Sequence, residues 1–173
     1  MIAFDCSVLC ITMYPNAGIP NDFRTGLPID SARARVDGLI AECEKNSEII
    51  LIPTPSLSEA LVVVAPDIQK YLDEFANQAY FKVVPFGERA AIEVALRTKM
   101  AMNQGDKREG VAAAWNKVKY DRQIVAIAKV EGASTIYSTD RDIHAHGALW
   151  GITVLNISDL PIPARQRNLY GQN

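Results

Sequence analysis

The sequence predicts one α/β domain with a mostly parallel β-sheet. Its 173 residues are enough for one domain of ordinary size, and 49% of them are hydrophobic against 22% charged. Short apolar runs alternate along the chain with longer stretches of helical periodicity, which is typical of parallel strands joined by helices. A chain of this length buries roughly 70% of the surface that it exposes when unfolded. We therefore expect the three cysteines to be reduced thiols rather than a disulfide framework.

The strands are predicted from apolar runs that end at turn residues. Residues 2–4 form the first run, and residues 8–11 continue it either as a strand or as the start of a helix. Residues 49–52 are entirely apolar and stop at Pro53. The remaining strands are predicted at residues 80–84, 135–137 and 152–155.

The helices are predicted where apolar residues recur at steps of three and four. Ser31 is placed to cap a helix that ends near Lys45. In another helix, Ile92, Leu96 and Met100 form an apolar stripe four residues apart. Helices are predicted at residues 32–45, 66–76, 88–102 and 111–131, the last as one helix or as two, with a short helix around Glu59.

Two segments are predicted to be loops and one to be a tail. Residues 14–30 contain three prolines and two glycines, which predicts a long exposed loop. Residues 103–110 form a polar loop that ends in glycine. The domain is expected to span residues 1–160, and residues 161–173 are expected to be a polar, poorly ordered tail.

Acidic residues follow several of the predicted strands. Asp5 ends the first strand, and Asp140 and Asp142 come directly after the strand at residues 135–137. Glu59 lies one short turn beyond the second strand. Ligand sites of open α/β sheets lie outside the carboxyl ends of the strands. We therefore expect three separate segments to bring these carboxylates to one edge of the sheet.

A further acid stands out by its periodicity. Val118, Asp121, Val125 and Ala128 form one stripe at helical spacing, which places a carboxylate among apolar side chains. A buried carboxylate costs several kcal/mol unless it is paired, protonated or bound to a metal. If Asp121 instead begins a second helix, it acts as an N-cap worth about 1 kcal/mol. The nearest basic residues are expected to point to other faces: Lys117, Lys119 and Arg122.

Four local sequences resemble the PIN-domain nucleases. They are Asp5-Cys6-Ser7, Glu59 at the end of residues 52–59, Asp121 at the start of residues 121–128, and Ser138-Thr139-Asp140-Arg141-Asp142. Their order and spacing agree with that family across nearly the whole chain. The resemblance implies a three-layer α/β/α fold that holds Mg²⁺ or Mn²⁺ and hydrolyses phosphodiester bonds, usually in RNA.

The resemblance also assigns roles to individual residues. It implies that the catalytic metal ligands are Asp5, Glu59, Asp121 and Asp140, and that Asp142 is a further ligand or positions a water. Ser7 and Thr139 resemble hydroxyl residues that orient the family's acids, and they serve equally well as turn or cap residues.

The residue types agree with this chemistry independently of the resemblance. Hard divalent cations prefer carboxylate oxygen, and the sequence offers no Cys/His cluster as a softer alternative. Clustered carboxylates raise one another's pKa, and a bound cation removes that cost. His144 and His146 are expected on an exposed loop or helix end rather than as ligands. Trp115 and Trp150 are expected in the core or at a subunit contact rather than stacked on bases.

The net charge of −2 excludes a global basic field for holding nucleic acid. Any contact with RNA is therefore expected to be local. The candidate phosphate contacts are Arg24, Arg33, Arg35, Lys107, Arg108, Arg165 and Arg167.

The sequence thus predicts a Mg²⁺- or Mn²⁺-dependent endoribonuclease, with a VapC-like toxin as the closest functional analogue. Its expected partners are an RNA substrate, an antitoxin-like protein inhibitor and a second copy of the chain. With no basic leader and no apolar run long enough to span a bilayer, the chain is expected in the cytoplasm. The alternative is a non-catalytic PIN-like module that binds RNA or protein. Aspartyl-phosphate chemistry at Asp5 ranks below both, because the second acid of a D-x-D motif is missing.

Overall fold

A computed structural model describes residues 1–14, 16–64 and 67–163 of the chain. Its centre is a five-stranded sheet in the order β3-β2-β1-β4-β5, and every pair of neighbouring strands is parallel. This confirms the predicted α/β class with a parallel sheet. The strands are β1 (Ile2–Phe4), β2 (Ile50–Pro53), β3 (Phe81–Val84), β4 (Thr135–Tyr137) and β5 (Thr153–Leu155).

Helices cover both faces of the sheet. Two separate clusters of buried side chains lie on its two sides, and successive residues of one strand alternate between them. In β2, for example, Ile50 and Ile52 belong to one cluster and Leu51 to the other. The helices are α1 (Cys6–Met13), α2 (Ala32–Lys45), α3 (Thr54–Val64), α4 (Ile68–Asn77), α5 (Glu88–Asn103), α6 (Trp115–Val130) and α7 (Arg141–Trp150), followed by a 3-10 turn at Ile157–Asp159.

The strand order creates a crevice beside β1. The chain runs from β1 to β2 and β3 on one side, then crosses back to place β4 and β5 on the other. Helices α1 to α4 belong to the first cluster of buried residues, whereas α5, α6 and α7 belong to the second. The connections that leave the carboxyl ends of β1 and β4 therefore run to opposite faces of the sheet, and the crevice between them is of the kind where α/β proteins bind ligands.

Several local expectations are corrected. Residues 8–11 lie in a helix, α1, and not in a strand. Helix α6 begins at Trp115 rather than at residue 111 and is a single helix, so Asp121 lies inside it and is not an N-cap. The predicted stripe on α5 faces outward, because Ile92 is 52% exposed and Leu96 is 58% exposed.

The proline- and glycine-rich loop is tied to the C-terminal part of the domain. Asp22 accepts hydrogen bonds from Arg24 Nη2 at 2.8 Å and from Ser158 Oγ at 2.6 Å. Arg24 also pairs with Asp159 at 2.8 Å. The loop is therefore held by a polar network, although many of its side chains are exposed.

The predicted tail falls largely on residues 164–173, which lie outside the described residues, as do Arg165 and Arg167. The proposed domain boundary at residue 160 stays a prediction. Among the described helices, none is long and apolar enough to cross a membrane.

Candidate active site

Asp5 occupies the end of β1, directly before α1, and only 4% of it is exposed. Two serine hydroxyls donate to its Oδ2 atom: Ser138 Oγ at 2.7 Å and Ser7 Oγ at 3.3 Å. Burial raises the pKa of Asp5, and these hydrogen bonds partly offset that effect. The carboxylate is thus fixed in orientation and partly compensated, but no cationic side chain is paired with it among the described residues.

The same hydroxyls join the end of β1 to the end of β4. The backbone N–H of Asp140 donates to Ser138 Oγ at 3.0 Å, and the backbone N–H of Thr139 donates to Ser7 Oγ at 3.0 Å. Ser138 is fully buried and was not among the predicted site residues. It lies within the motif that revealed Asp140, but a serine in a turn carries no signal of its own. At Thr139 it is the backbone, and not the predicted hydroxyl, that makes the contact.

Asp140 and Asp142 lie at the start of α7. Asp140 is the N-cap of the helix, and its Oδ1 accepts the backbone N–H of Asp142 at 2.7 Å. Negative side chains are stabilised at a helix N-terminus by the unpaired N–H groups and the helix dipole. The local sequence therefore fixes where the Asp140 carboxylate lies beside the crevice.

Asp121 reaches the crevice from α6. Val118, Val125 and Ala128 are fully buried, which confirms the predicted stripe, and Asp121 itself is 6% exposed. Burial raises the pKa of Asp121 to about 7, even though a neighbouring ammonium group opposes the shift. The desolvation of this carboxylate is a cost that a nearby cation would reduce.

Lys117 supplies that cation, contrary to the expectation that the nearby basic residues point elsewhere. Its Nζ lies 2.7 Å from Asp121 Oδ2, 2.9 Å from Asp140 Oδ2 and 3.0 Å from Asp142 Oδ2. Residues four apart share one helix face, so the position of Lys117 relative to Asp121 was a usable signal. Arg122 does point away, since it is fully buried and pairs with Glu109 at 2.7 Å.

Glu59 enters the site from α3. Its side chain is exposed to solvent. Partial burial raises its pKa, and the negative charge of Asp5 adds to the shift. The five predicted acids thus lie close enough to influence one another electrostatically. They are contributed by β1, α3, α6 and the β4–α7 connection.

The donor set fits a hard divalent cation. Within residues 1–14, 16–64 and 67–163, no three His, Cys, Asp or Glu side chains already stand close enough to hold an ion directly. Three carboxylate oxygens nevertheless surround one ammonium nitrogen within 3.0 Å. Carboxylate oxygen is what Mg²⁺ and Mn²⁺ prefer. Two observations therefore support a divalent cation at this site. The Lys117 ammonium occupies a position where a cation is favoured, and the burial of Asp5 and Asp121 disfavours an uncompensated negative charge.

The two histidines do not lie on an exposed loop, and that prediction is wrong. Both belong to α7, where His146 is fully buried and His144 is partly buried. A ring nitrogen of His144 lies 3.0 Å from the Ser138 carbonyl oxygen, and its ring packs against Phe23. Burial lowers the pKa of His146 to about 4. The signal that was missed is that one face of α7 must be buried, because β5 and α6 both pack against it.

Three of the candidate RNA-binding arginines are used by the fold itself. Arg24 pairs with two carboxylates, Arg33 donates to the Tyr14 carbonyl oxygen at 2.6 Å, and Arg35 donates to backbone carbonyls including that of Leu160. RNA contact by these residues stays a prediction, and their guanidinium groups are already engaged.

Lys107 and Arg108 lie elsewhere, in the loop between α5 and α6. They line an open cavity of about 600 Å³ together with Trp115, whose ring centroid is 4.7 Å from Lys107 Nζ. Trp150 is buried, as predicted, whereas Trp115 is partly exposed at this cavity.

The fold and the acidic crevice together define a PIN-like α/β domain. No protein-family model matches the chain, and no curated protein is detectably similar to it in sequence. The crystal structure of VapBC2 from Rickettsia felis, bound to a DNA fragment from their promoter, matches at 15% identity with a TM-score of 0.58, over 90% of this chain and 98% of that chain. The crystal structure of DNA-bound VapBC from Salmonella typhimurium matches at 12% identity with a TM-score of 0.53, over 90% of this chain and 97% of that chain.

The chain therefore has a VapC-like PIN fold. This confirms the fold that the acidic motifs predicted. At these levels of identity the likeness shows the fold alone, so the activity has to be argued from the site.

Proposed function

We propose that the protein is a Mg²⁺- or Mn²⁺-dependent endoribonuclease that acts in the cytoplasm. The observation that carries the proposal is the convergence of Asp121, Asp140 and Asp142 on one cation position, in the crevice where Asp5 ends β1. Acids held together at this cost are typical of metal-assisted hydrolysis. The gathering of these acids counts against a non-catalytic binding module.

The acidic residues would have two roles in binding the ion. Asp5, Glu59, Asp121 and Asp140 would hold the ion, and Asp142 would bind it or position a water. When bound, such an ion lowers the pKa of a bound water and stabilises charge on the leaving oxygen.

The hydrogen bonds within the site support these roles. Ser138 and Ser7 hold the Asp5 carboxylate in one orientation, and the start of α7 holds Asp140. Ligands that are already oriented need less rearrangement when the ion enters, which is the function expected of such supporting hydrogen bonds.

RNA is the substrate that we propose, and the loop between α5 and α6 is where we expect part of it to bind. Lys107 and Arg108 place two positive charges beside the partly exposed ring of Trp115. Cationic side chains next to an aromatic ring suit a backbone phosphate and its base. Because the net charge is −2, such a local cluster is needed for binding at all.

We also propose two protein partners. The structural neighbours are VapBC complexes, which supports an antitoxin-like inhibitor that covers the acidic crevice. A homodimer is proposed from the PIN resemblance. The apolar stripe on α5 supports it, because Ile92, Leu96 and Met100 are each more than half exposed.

The proposal is tested by offering the purified protein a panel of fluorescent single-stranded RNA, structured RNA and DNA with Mg²⁺ or Mn²⁺. The protein should be denatured and refolded first, so that a co-purified inhibitor is removed. Cleavage of RNA that needs the metal supports the proposal and begins to define the substrate. Binding of RNA with no cleavage under any of these conditions would favour the non-catalytic module instead.

A further inference from the structure

The ammonium group of Lys117 lies at the centre of the acidic crevice. Its Nζ lies 2.7, 2.9 and 3.0 Å from the Oδ2 atoms of Asp121, Asp140 and Asp142, and it donates a hydrogen bond to Asp121. A lysine ammonium has donors and no acceptor, and here one ammonium charge is shared by three carboxylates. The contacts join α6 to the start of α7 across the site.

The side chain of Lys117 has room to move its ammonium group out of the site. About 40% of its side chain is exposed, whereas that of Asp121 is 8% exposed. Its charge sits at the end of a flexible four-carbon stem, unlike the rigid guanidinium of an arginine. The ammonium can therefore swing out toward solvent while the carboxylates stay in place.

A divalent ion and the ammonium cannot both occupy this position. Mg²⁺ binds carboxylate oxygen at about 2.0 to 2.1 Å and would take the same Oδ2 atoms. Two cations sharing three carboxylates at such distances would also repel each other strongly. One of them has to be displaced for the other to bind.

We infer that Lys117 is a built-in, displaceable counter-ion that keeps the acids together in the metal-free protein and competes with the divalent ion for them. The inference rests on the proposed function in one respect, namely that these acids are the metal ligands. It predicts that the three carboxylates are already gathered around one position in the metal-free protein and that the lysine reduces metal affinity. A purely structural ion pair predicts the opposite, since its loss would scatter the carboxylates and weaken metal binding.

The test measures Mn²⁺ binding without RNA, from the electron paramagnetic resonance signal of the free ion. Lys117→Met removes the charge and keeps most of the stem, and Lys119→Met is the matched control, because Lys119 is exposed on the same helix. We expect Lys117→Met to bind Mn²⁺ at least about tenfold more tightly than the wild type. Lys119→Met should stay within about twofold of the wild type. Equal or weaker binding by Lys117→Met, with circular dichroism showing a folded protein, overturns the inference.

A second measurement needs no substitution at Lys117, so it stands even if that variant does not fold. Amine acetylation of the wild type, read by mass spectrometry, should rise several-fold at Lys117 when Mn²⁺ saturates the site and stay constant at Lys119. Unchanged acetylation of Lys117 with bound Mn²⁺ contradicts displacement.

The Asp5→Asn variant separates the proposed metal site from the counter-ion inference. If it binds Mn²⁺ as the wild type does, the proposed metal site itself fails. If Asp5→Asn weakens Mn²⁺ binding but neither the tighter binding by Lys117→Met nor the rise in Lys117 acetylation is seen, the metal site stands and only the counter-ion inference fails.

Discussion

Individual buried polar groups at and near the site carry most of its electrostatic cost. Asp5 and Asp121 have pKa values raised by burial, and each is compensated differently. Two serine hydroxyls donate hydrogen bonds to Asp5, whereas the Lys117 ammonium forms an ion pair with Asp121. A neutral donor can orient a carboxylate but cannot cancel its charge, so Asp5 is the acid left most in need of a cation.

His146 predicts a specific dependence of stability on pH. It is fully buried, and its ring nitrogens have no hydrogen-bond partner within the part of the chain that the structure describes. Burial, followed by the charge of Arg122, lowers its pKa from 6.5 to about 4. Between these values the unfolded chain binds more protons than the folded protein. The contribution of the neutral imidazole to stability is therefore present above pH 6.5 and lost as the pH falls toward 4.

The test compares the wild type with His146→Leu by urea unfolding. Relative to the variant, the wild type should lose about 2 kcal/mol of unfolding free energy between about pH 7 and about pH 5. The comparison with the variant cancels the opposite trend that Asp5 and Asp121 contribute through their raised pKa values. A difference between the two proteins that does not change with pH would show that His146 titrates normally.

The acids could be predicted from the sequence because each follows an apolar strand or interrupts an apolar stripe. Lys117 was missed because a lysine on a helix most often lies in solvent, and the direction of its stem depends on how α7 packs. Ser138 was missed because its role depends on β1 and β4 being neighbours, which no local pattern encodes. The roles of the five acids in metal binding stay predictions.

At the scale of elements, the packing of α7 on β5 depends on Gly147. An alanine Cβ at this position would overlap Cγ2 of Val154 and lie 3.1 Å from the Ile152 carbonyl oxygen. Glycine to alanine inside a helix ordinarily stabilises by up to about 1 kcal/mol. Here the overlap with a strand and its backbone reverses the sign, because neither neighbour can move away cheaply.

We therefore expect Gly147→Ala to destabilise the protein by about 1 to 3 kcal/mol, measured by urea unfolding. Gly18→Ala is the control, because an added Cβ there meets no atom within 4 Å among the described residues. That control should change stability by less than about 0.5 kcal/mol. A stabilised Gly147→Ala variant would mean that α7 sits farther from β5 than described.

The exposed stripe on α5 predicts a change in oligomeric state. Leu96 lies at its centre and is 58% exposed, so Leu96→Glu would bury an unpaired carboxylate in any contact made through this face. We expect the wild type to be a dimer and Leu96→Glu a monomer by light scattering after gel filtration. Ala41→Glu adds the same charge to an exposed position on α2 and should leave the dimer intact. A dimer that survives Leu96→Glu would place the interface elsewhere.

Secondary structure could be predicted well where the apolar pattern was unambiguous. The runs at β1 and β2 are continuous because both faces of these strands are covered by helices. The short run after Asp5 was ambiguous, since a buried helix and a buried strand have the same composition over four residues. The α5 stripe showed the helix correctly but did not show which face would be covered.

At the scale of the whole molecule, the site depends on one feature of the topology. Placing β4 beside β1 brings Asp140 next to Asp5 although they are far apart in the chain. Local periodicity predicts the strands but not their order, and the order was implied only by the PIN resemblance. Fold and acidic crevice thus support the same proposed function.

The most direct test of the metal-dependent nuclease is the single-turnover cleavage rate of an RNA substrate across a Mn²⁺ titration. The variants are Asp5→Asn, which keeps the size of the side chain, and Asp37→Asn, a control at an exposed position on α2. We expect Asp5→Asn to lower the rate at saturating Mn²⁺ by roughly a hundredfold or more, and Asp37→Asn to match the wild type. Equal cleavage by Asp5→Asn and the wild type would contradict the account, because the activity would then arise outside the crevice at β1 and β4.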